Sequence, residues 1–141
     1  MGYTHYWKGT GFTTEQWDAL RAHTLAIIVK AAERGIMVAD GFGENSPVVD
    51  GKHIWLNGVG FDSHETFRLT PSATGFEFCK TNCKPYDQVV TAILIVAAYL
   101  NPEFEPSSDG EEWDWQDGLT LASNATGIND LQVPALVRCV A

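Results

Sequence analysis

Residues 84–102 read KPYDQVVTAILIVAAYLNP, and this stretch decides the fold class. Pro85 suits the first position of a helix, because the N–H that proline lacks would be unpaired there. An almost unbroken apolar run follows and ends before Pro102. At 1.5 Å per residue, the roughly sixteen residues of 85–100 span only about 24 Å, which is short for a bilayer. A helix that is apolar on every side is buried by several neighbours, so this stretch predicts a central core helix.

Upstream, the sequence predicts another helix over residues 14–34. Thr13 and Gln16 have the spacing of a capping box, in which each residue binds the backbone N–H of the other. Phe12 and Trp17 occupy the two positions of a hydrophobic staple. An apolar stripe with helical spacing follows, so one face of this helix is expected to pack on a sheet.

Three strand-like runs lie between the two helices: KHIWLNG at 52–58, HETFRL at 64–69 and GFEFCK at 75–80. A first strand is expected at the N-terminus and a short one in EFEPS at 103–107. Beyond it, Ser108 and Glu111 have capping-box spacing, which predicts a third helix that begins near Gly110.

The second and third runs are predicted to form an antiparallel hairpin, because apolar and polar residues alternate in both. One register pairs residues of matching character, apolar with apolar and acidic with basic: Leu69–Phe76, Phe67–Phe78, Glu65–Lys80 and Arg68–Glu77. This register would turn the phenylalanines toward the core.

The composition is that of one globular domain. The chain has 141 residues, of which 45% are hydrophobic, enough to bury a core. We expect an α+β fold in which a mostly antiparallel sheet packs around the central helix, with two further helices. The last run, LQVPALVRCV at 131–140, contains Pro134 and allows either an edge strand or an ordered coil.

Charge and cysteine content argue against several classes of function. The net charge is −9, which disfavours general nucleic-acid binding and anionic membrane surfaces. The N-terminus does not have the pattern of a signal peptide, so we expect a cytoplasmic protein with reduced cysteines at 79, 83 and 139. The Cys and His residues lack the paired spacing of zinc ligands, and neither a metal nor a cofactor is expected.

The strongest candidate site lies where the third run meets the central helix. A helix N-terminus presents unpaired N–H groups and the positive end of the helix dipole, which both favour an anion. Lys80 and Lys84, two of nine basic residues, occur here with Thr81 and Tyr86. This pattern predicts a pocket for phosphate or carboxylate. The alternative is that Lys80 pairs with Glu65 while Lys84 is solvated.

His64 and Glu65 lie across from this junction in the predicted register. A single histidine can act as a general acid or base, so the pair is a candidate catalytic site. The alternative is a histidine that is hydrogen-bonded for structural reasons.

The first strand and the SSDG segment contribute further candidates. Alternation along the first strand puts Tyr3 and His5 on one face and Tyr6 on the other. These aromatic side chains could stack a base or sugar or simply pack in the core. Ser108 and Asp109 offer a hydroxyl and a carboxylate at a turn. Helix capping is the alternative explanation for the serine.

Five motifs occur in order along the chain: GYTHYW at 2–7, SHETF at 63–67, FCKT at 78–81, KPYD at 84–87 and SSDG at 107–110. Together they resemble a family of small uncharacterised proteins from bacteriophages and bacteria, mainly actinobacterial. The resemblance covers residues 1–122 and leaves 123–141 as a divergent tail of the same domain. It implies a phage-type protein but no particular reaction, and the chain departs from the pattern at Cys83, where a basic residue is expected.

The function that these residues favour is the binding of a small anionic, nucleotide-like ligand by Lys80, Lys84 and a tyrosine. In a phage-type protein, such binding would sequester a host signalling nucleotide. One alternative is a small hydrolase or phosphoesterase that uses His64 and Glu65. Another is an accessory module that contacts a host protein or a second copy of the chain.

Overall fold

The computed structural model of the protein describes residues 3–138. Helices and strands follow one another in the order β1 Thr4–Thr10, α1 Thr14–Glu33, β2 Val38–Ala39, β3 Val48–Val49, β4 Ile54–Gly58, β5 Phe67–Leu69, β6 Ala73–Lys80, α2 Asp87–Leu100, β7 Ser107–Ser108, α3 Gln116–Thr126 and α4 Ala135–Arg138. Single 3-10 turns occupy Gly60–Asp62 and Glu112–Trp115. All strand pairs are antiparallel, which confirms the α+β class.

Helix α2 is the apolar stretch from which the fold was predicted. Residues 89–97 are all buried, and α1 and α3 pack against this helix and against each other. The prediction of a central core helix is therefore confirmed. Its helical backbone begins at Asp87 rather than Pro85, because residues 81–86 form turns. Within residues 3–138, no helix combines the length and apolar character needed to cross a bilayer.

Helix α1 begins and ends close to the predicted positions. The Gln16 N–H donates to Thr13 Oγ1 over 3.1 Å, and the Thr13 N–H donates to Gln16 Oε1 over 2.8 Å. The rings of Phe12 and Trp17 lie 5.7 Å apart, as a hydrophobic staple requires. Both local signals of the helix start are confirmed.

The strands form two sheets. One has the order β6–β1–β7, with β1 in the centre. In the other sheet, β4 is the central strand. Strand β5 pairs with one edge of β4 and β3 with the opposite edge, both near the start of β4. Strand β2 pairs with β4 near the C-terminal end of β4. The first sheet, together with the loop between β6 and α2, contains most of the candidate site residues.

The predicted hairpin between the second and third runs does not form, and its register is wrong. Strand β5 pairs with β4, and β6 pairs along its length with β1, so that Phe78 lies opposite Tyr6. One predicted neighbour remains, since the Glu65 N–H donates to the Lys80 carbonyl over 3.2 Å. Alternation predicts which residues share a face, but it cannot choose between partner strands. Here the seven residues of β1 offer β6 a longer partner than the three of β5.

The segment after α2 also differs from the prediction. Ser108 lies in β7 and does not cap a helix, and the capping box is instead made by Glu111 and Asp114. A 3-10 turn precedes α3, which starts at Gln116 rather than near Gly110. The serine is drawn into the sheet because β1 is available as its partner strand.

The tail at 123–141, expected to diverge from the resembled family, is part of the core as far as it is described. Leu131, Val133 and Val137 are buried in the same hydrophobic cluster as α2. After Pro134 the backbone forms the short helix α4, so neither an edge strand nor a coil alone describes this segment. Cys139 lies outside the described residues.

Candidate functional site

Strands β1 and β6 present two chemically different faces. The register pairs Thr4 with Lys80, Tyr6 with Phe78 and Lys8 with Phe76, and directly paired residues share a face of the sheet. We call Tyr6, Lys8, Phe76, Phe78 and Lys80 the aromatic face. The residues between them, His5, Trp7 and Cys79, point to the opposite side and are buried.

A chain of hydrogen bonds, which we call the polar cluster, lies on the buried side and consists of His5, Thr81, Asp87 and Ser108. His5 Nε2 is 2.5 Å from Asp87 Oδ1, and His5 Nδ1 is 2.8 Å from Ser108 Oγ. Thr81 Oγ1 donates to the same Asp87 oxygen over 2.5 Å. The His5 side chain is fully buried, while Asp87 keeps a 13% exposed side chain. Every polar atom of the histidine ring therefore has a partner.

The loop before α2 positions two members of the polar cluster. Asn82 and Cys83 have φ angles of 55° and 60°, in the left-handed region that non-glycine residues rarely adopt. The N–H groups of Thr81 and Asn82 both donate to the Tyr3 carbonyl over 3.1 Å. This strained turn ties the loop to the start of β1 and brings Thr81 and Asp87 within reach of His5.

Tyr3 borders the polar cluster. Its ring meets the His5 ring edge to face, with centroids 5.0 Å apart, and the Trp115 ring also meets His5 edge to face at the same distance. Burial raises the pKa of the Tyr3 hydroxyl above its usual value, and the negative charges of Asp87 and Asp114 raise it further. The surroundings of the cluster are therefore acidic and aromatic.

The N–H groups at the start of α2 are already used. Those of residues 87–90 donate to carbonyl groups of residues 84–86 at 2.9 to 3.3 Å. An anion in the pocket predicted here would have to displace these bonds. Lys84 is partly buried, and its own N–H donates to the Thr81 carbonyl.

The predicted ion pair between Glu65 and Lys80 is absent from the described residues, and Glu65 instead contacts Tyr86 and the backbone of Lys80. The Tyr86 side chain is fully buried and its hydroxyl donates to the Glu65 carbonyl, so its ring cannot stack on a ligand. The Glu65 carboxylate accepts the Lys80 backbone N–H over 2.8 Å, while the Lys80 ammonium forms no ion pair within residues 3–138. The lysine side chain is therefore available to the aromatic face.

His64 lies in an exposed loop before β5. Asn57 fixes its backbone, since the His64 N–H donates to Asn57 Oδ1 over 3.0 Å and Asn57 Nδ2 donates to the His64 carbonyl over 2.9 Å. In the described part of the chain, the imidazole itself forms no hydrogen bond. The structure gives no orienting partner to the ring, and its catalytic role stays a prediction.

The aromatic face is open to solvent. Phe76 and Phe78 are 68% and 57% exposed. The Tyr6 and Phe76 rings are stacked with centroids 5.9 Å apart, and the Phe76 and Phe78 centroids are 6.3 Å apart. Asp109 accepts the Tyr6 hydroxyl over 3.0 Å and thereby raises the pKa of that phenol. Three rings are thus held side by side on one surface.

Sequence reasoning found most of these residues but did not bring them together. His5 and Ser108 were candidates, yet they are 103 positions apart, and Asp87 is 82 positions from His5. No local pattern reports contacts at such separations. The outward direction of Phe76 and Phe78 was missed because the wrong partner strand was assigned to β6.

Comparison with known proteins finds no match to a family model, to a curated protein or to a solved structure. The family resemblance of the five motifs therefore stays a prediction. Within residues 3–138, no group of three His, Cys, Asp or Glu side chains is placed to hold a metal ion.

Proposed function

We propose that the protein binds a small anionic, nucleotide-like ligand on the aromatic face. The observation that carries this proposal is the register of β1 and β6, which surrounds three rings with two lysines. Planar bases stack on exposed aromatic side chains and gain about 1–3 kcal/mol per base. Tyr6, Phe76 and Phe78 offer such a stacking surface, because nothing in the described chain covers the two phenylalanines.

The charges on this face favour an anion. Lys8 and Lys80 lie at opposite corners of the aromatic face, four residues apart along the strands, or about 13 Å at about 3.3 Å per residue. Neither is in an ion pair with a carboxylate of residues 3–138. In a chain with a net charge of −9, two such unpaired lysines beside exposed rings supply a local attraction for phosphate groups.

The acidic group at the border of the face limits where phosphate can lie. Asp109 binds the Tyr6 hydroxyl at the β7 side of the sheet and would repel a phosphate there. The phosphate groups of a bound ligand would therefore lie toward Lys8 or Lys80, with the base over Phe76 and Phe78. Lys84 belongs to the neighbouring loop and is not needed for this mode of binding.

A thermal-shift panel of purine and pyrimidine nucleoside phosphates and cyclic dinucleotides tests the proposal. The nucleotide that raises the melting temperature most is then titrated by calorimetry beside its nucleoside and inorganic triphosphate. We expect the nucleotide to bind more tightly than either part alone. Phe78→Ala should weaken nucleotide binding about 5- to 150-fold, which corresponds to the stacking energy of one base.

Lysine variants separate ring recognition from phosphate recognition. Lys8→Ala and Lys80→Ala should weaken binding of the nucleotide but leave that of the nucleoside nearly unchanged. Lys52→Ala, which removes an exposed lysine in the loop before β4, is the matched control and should bind like the wild type. The proposal is contradicted if no member of the panel binds, or if the nucleotide binds the three face variants with unchanged affinity.

The same experiments address the other predicted functions. Turnover of a bound nucleotide that depends on His64 and Glu65 would favour the small phosphoesterase. A protein that co-purifies with the chain, and is lost when Phe78 is replaced, would favour the accessory module. Sequestration of a host signalling nucleotide, which is inferred only from the phage-type context, stays a prediction until a ligand is known.

A further inference from the structure

The polar cluster has the connectivity of an activated serine, on the opposite side of the sheet from the aromatic face. A carboxylate oxygen can only accept, so His5 Nε2, 2.5 Å from Asp87 Oδ1, carries the proton. In this tautomer Nδ1 is an acceptor, and Ser108 Oγ lies 2.8 Å from it. The Gly110 N–H donates to Ser108 Oγ over 2.9 Å, which leaves the hydroxyl proton of the serine to point at His5.

We propose that Ser108 is a nucleophile, with His5 as its general base and Asp87 as the residue that positions the histidine. A nucleophile in hydrogen-bond contact with a base, and a base oriented by a third group, is the arrangement that activates serine in hydrolases. In the Ser-His-Asp proteases, the histidine Nε2 faces the serine and Nδ1 faces the aspartate, whereas here Nδ1 faces Ser108 and Nε2 faces Asp87. This exchange changes neither the number of proton donors nor the direction of proton transfer. This site is separate from the aromatic face and does not depend on the proposed ligand.

Two features of the structure distinguish this cluster from an ordinary buried histidine. Asp87 receives a second hydrogen bond, from Thr81, which fixes the carboxylate as well as the ring. The adjacent residues Asn82 and Cys83 both adopt left-handed backbone angles. Such strain is stored preferentially at functional sites, and here it lies in the loop that presents Thr81 and Asp87.

The acidic surroundings point to an uncharged substrate. Asp87 is hydrogen-bonded to His5, and both Asp87 and Asp114 act on the neighbouring Tyr3. Negative charge on these two carboxylates would repel a phosphate ester, whereas a small neutral carboxylic ester or thioester meets no such repulsion. Ser108 is partly exposed at the end of β7, so the ester would approach from this edge of the sheet.

In the reaction, Ser108 Oγ forms a bond to the carbonyl carbon as its proton passes to His5 Nδ1. The bond from that carbon to the leaving oxygen or sulfur breaks, and the leaving group takes the proton from His5. Water then attacks the acyl-serine and gives a proton to His5, which returns it to Ser108 Oγ as the carboxylic acid departs. No metal or redox partner is required for either half.

A fluorophosphonate probe tests the proposal directly, because it reacts with activated serines by forming a P–O bond and releasing fluoride. We expect intact-mass analysis to show one adduct on the wild type, with peptide mapping to Ser108. Ser108→Ala should abolish the adduct, and Ser107→Ala, a neighbouring serine on the other face of β7, should leave it unchanged. Asp87→Asn should lower the labelling rate about 10²- to 10⁴-fold, and Asp87→Glu should restore part of it.

The readouts separate loss of activation from loss of the fold. Circular dichroism and thermal melting of each variant identify those that fail to fold, and Ser108→Ala, which removes one oxygen atom, is expected to fold. The pH dependence of labelling is measured on the wild type and on Asp87→Asn, since a purely structural role for Asp87 would leave the profile unchanged. A wild-type protein that remains unlabelled, or an adduct that maps elsewhere or persists in Ser108→Ala, overturns the proposal.

Discussion

The two faces of the β6–β1–β7 sheet differ in almost every physical respect, although they alternate along the same strands. On one face, His5 is fully buried and both of its ring nitrogens are hydrogen-bonded. On the other, Phe76 and Phe78 are more than half exposed, and Lys8 and Lys80 have no carboxylate partner within residues 3–138. One face places polar groups inside the protein, and the other places apolar groups outside it.

This sheet therefore departs from the usual arrangement, in which apolar side chains are buried and polar side chains are exposed. A buried polar group costs free energy unless it is hydrogen-bonded, and in the polar cluster both ring nitrogens of His5 are hydrogen-bonded. Exposed aromatic rings gain little stability where they are, which is why we propose their cluster on one surface as a binding surface. The first face should therefore govern stability, whereas the second should govern binding.

The largest expected effect is that of His5→Ala. The substitution leaves a cavity and removes the partner of Asp87 and Ser108, so we expect the free energy of unfolding to fall by about 3–5 kcal/mol. Urea denaturation followed by circular dichroism measures this loss. Lys8→Ala, on the same strand but on the aromatic face, is the control, with a change of less than about 0.5 kcal/mol. A loss below about 1 kcal/mol for His5→Ala would remove the distinction between the two faces.

A smaller effect is expected from Thr81→Val, which keeps the side-chain volume and removes the hydroxyl that donates to Asp87. The loss of this charge-assisted hydrogen bond should cost about 1–3 kcal/mol in the same denaturation experiment. Thr74→Val, an exposed threonine on β6, makes the matched comparison and should stay within about 0.5 kcal/mol of the wild type. Equal effects in the two variants would mean that the bond between Thr81 and Asp87 contributes nothing to stability.

Phe78→Ala should change the free energy of unfolding by less than about 1 kcal/mol, because the ring is 57% exposed and only the strand preference of phenylalanine is lost. The buried Phe67 of β5 gives the contrast, since Phe67→Ala should cost about 3–5 kcal/mol. Thermal melts of the two variants side by side measure the difference. Similar losses would indicate that Phe78 packs in the core and is unavailable to a ligand.

The smallest effect is expected from Lys80→Ala. The hairpin predicted from the sequence made this lysine the ionic partner of Glu65, and its loss would then have destabilised the fold. In the structure, Glu65 binds the backbone N–H of residue 80, which alanine retains. We therefore expect a change within about 0.5 kcal/mol. A clearly larger loss on urea denaturation would restore the ion pair as a stabilising contact.

The helices and the candidate residues of the first strand were accessible to sequence reasoning because their signals are local. The capping box of α1 joins Thr13 to Gln16 within one helical turn. The apolar run of α2 is recognised directly from the residues that compose it. Alternation along β1 likewise predicted that Tyr6 lies on the opposite face from His5, and the structure agrees. Each of these inferences needs only the neighbouring residues.

Strand partners and the polar cluster were decided only by the tertiary structure. Alternation in β6 separates Phe76 and Phe78 from Glu77 and Cys79, but it cannot say which set faces the core, because that depends on the side where the helices pack. Pairing with β1 rather than β5 turned the phenylalanines outward. The same topology brought residues 5, 87 and 108 together, and contacts between segments so far apart depend on loop closure and packing that no short stretch of sequence encodes.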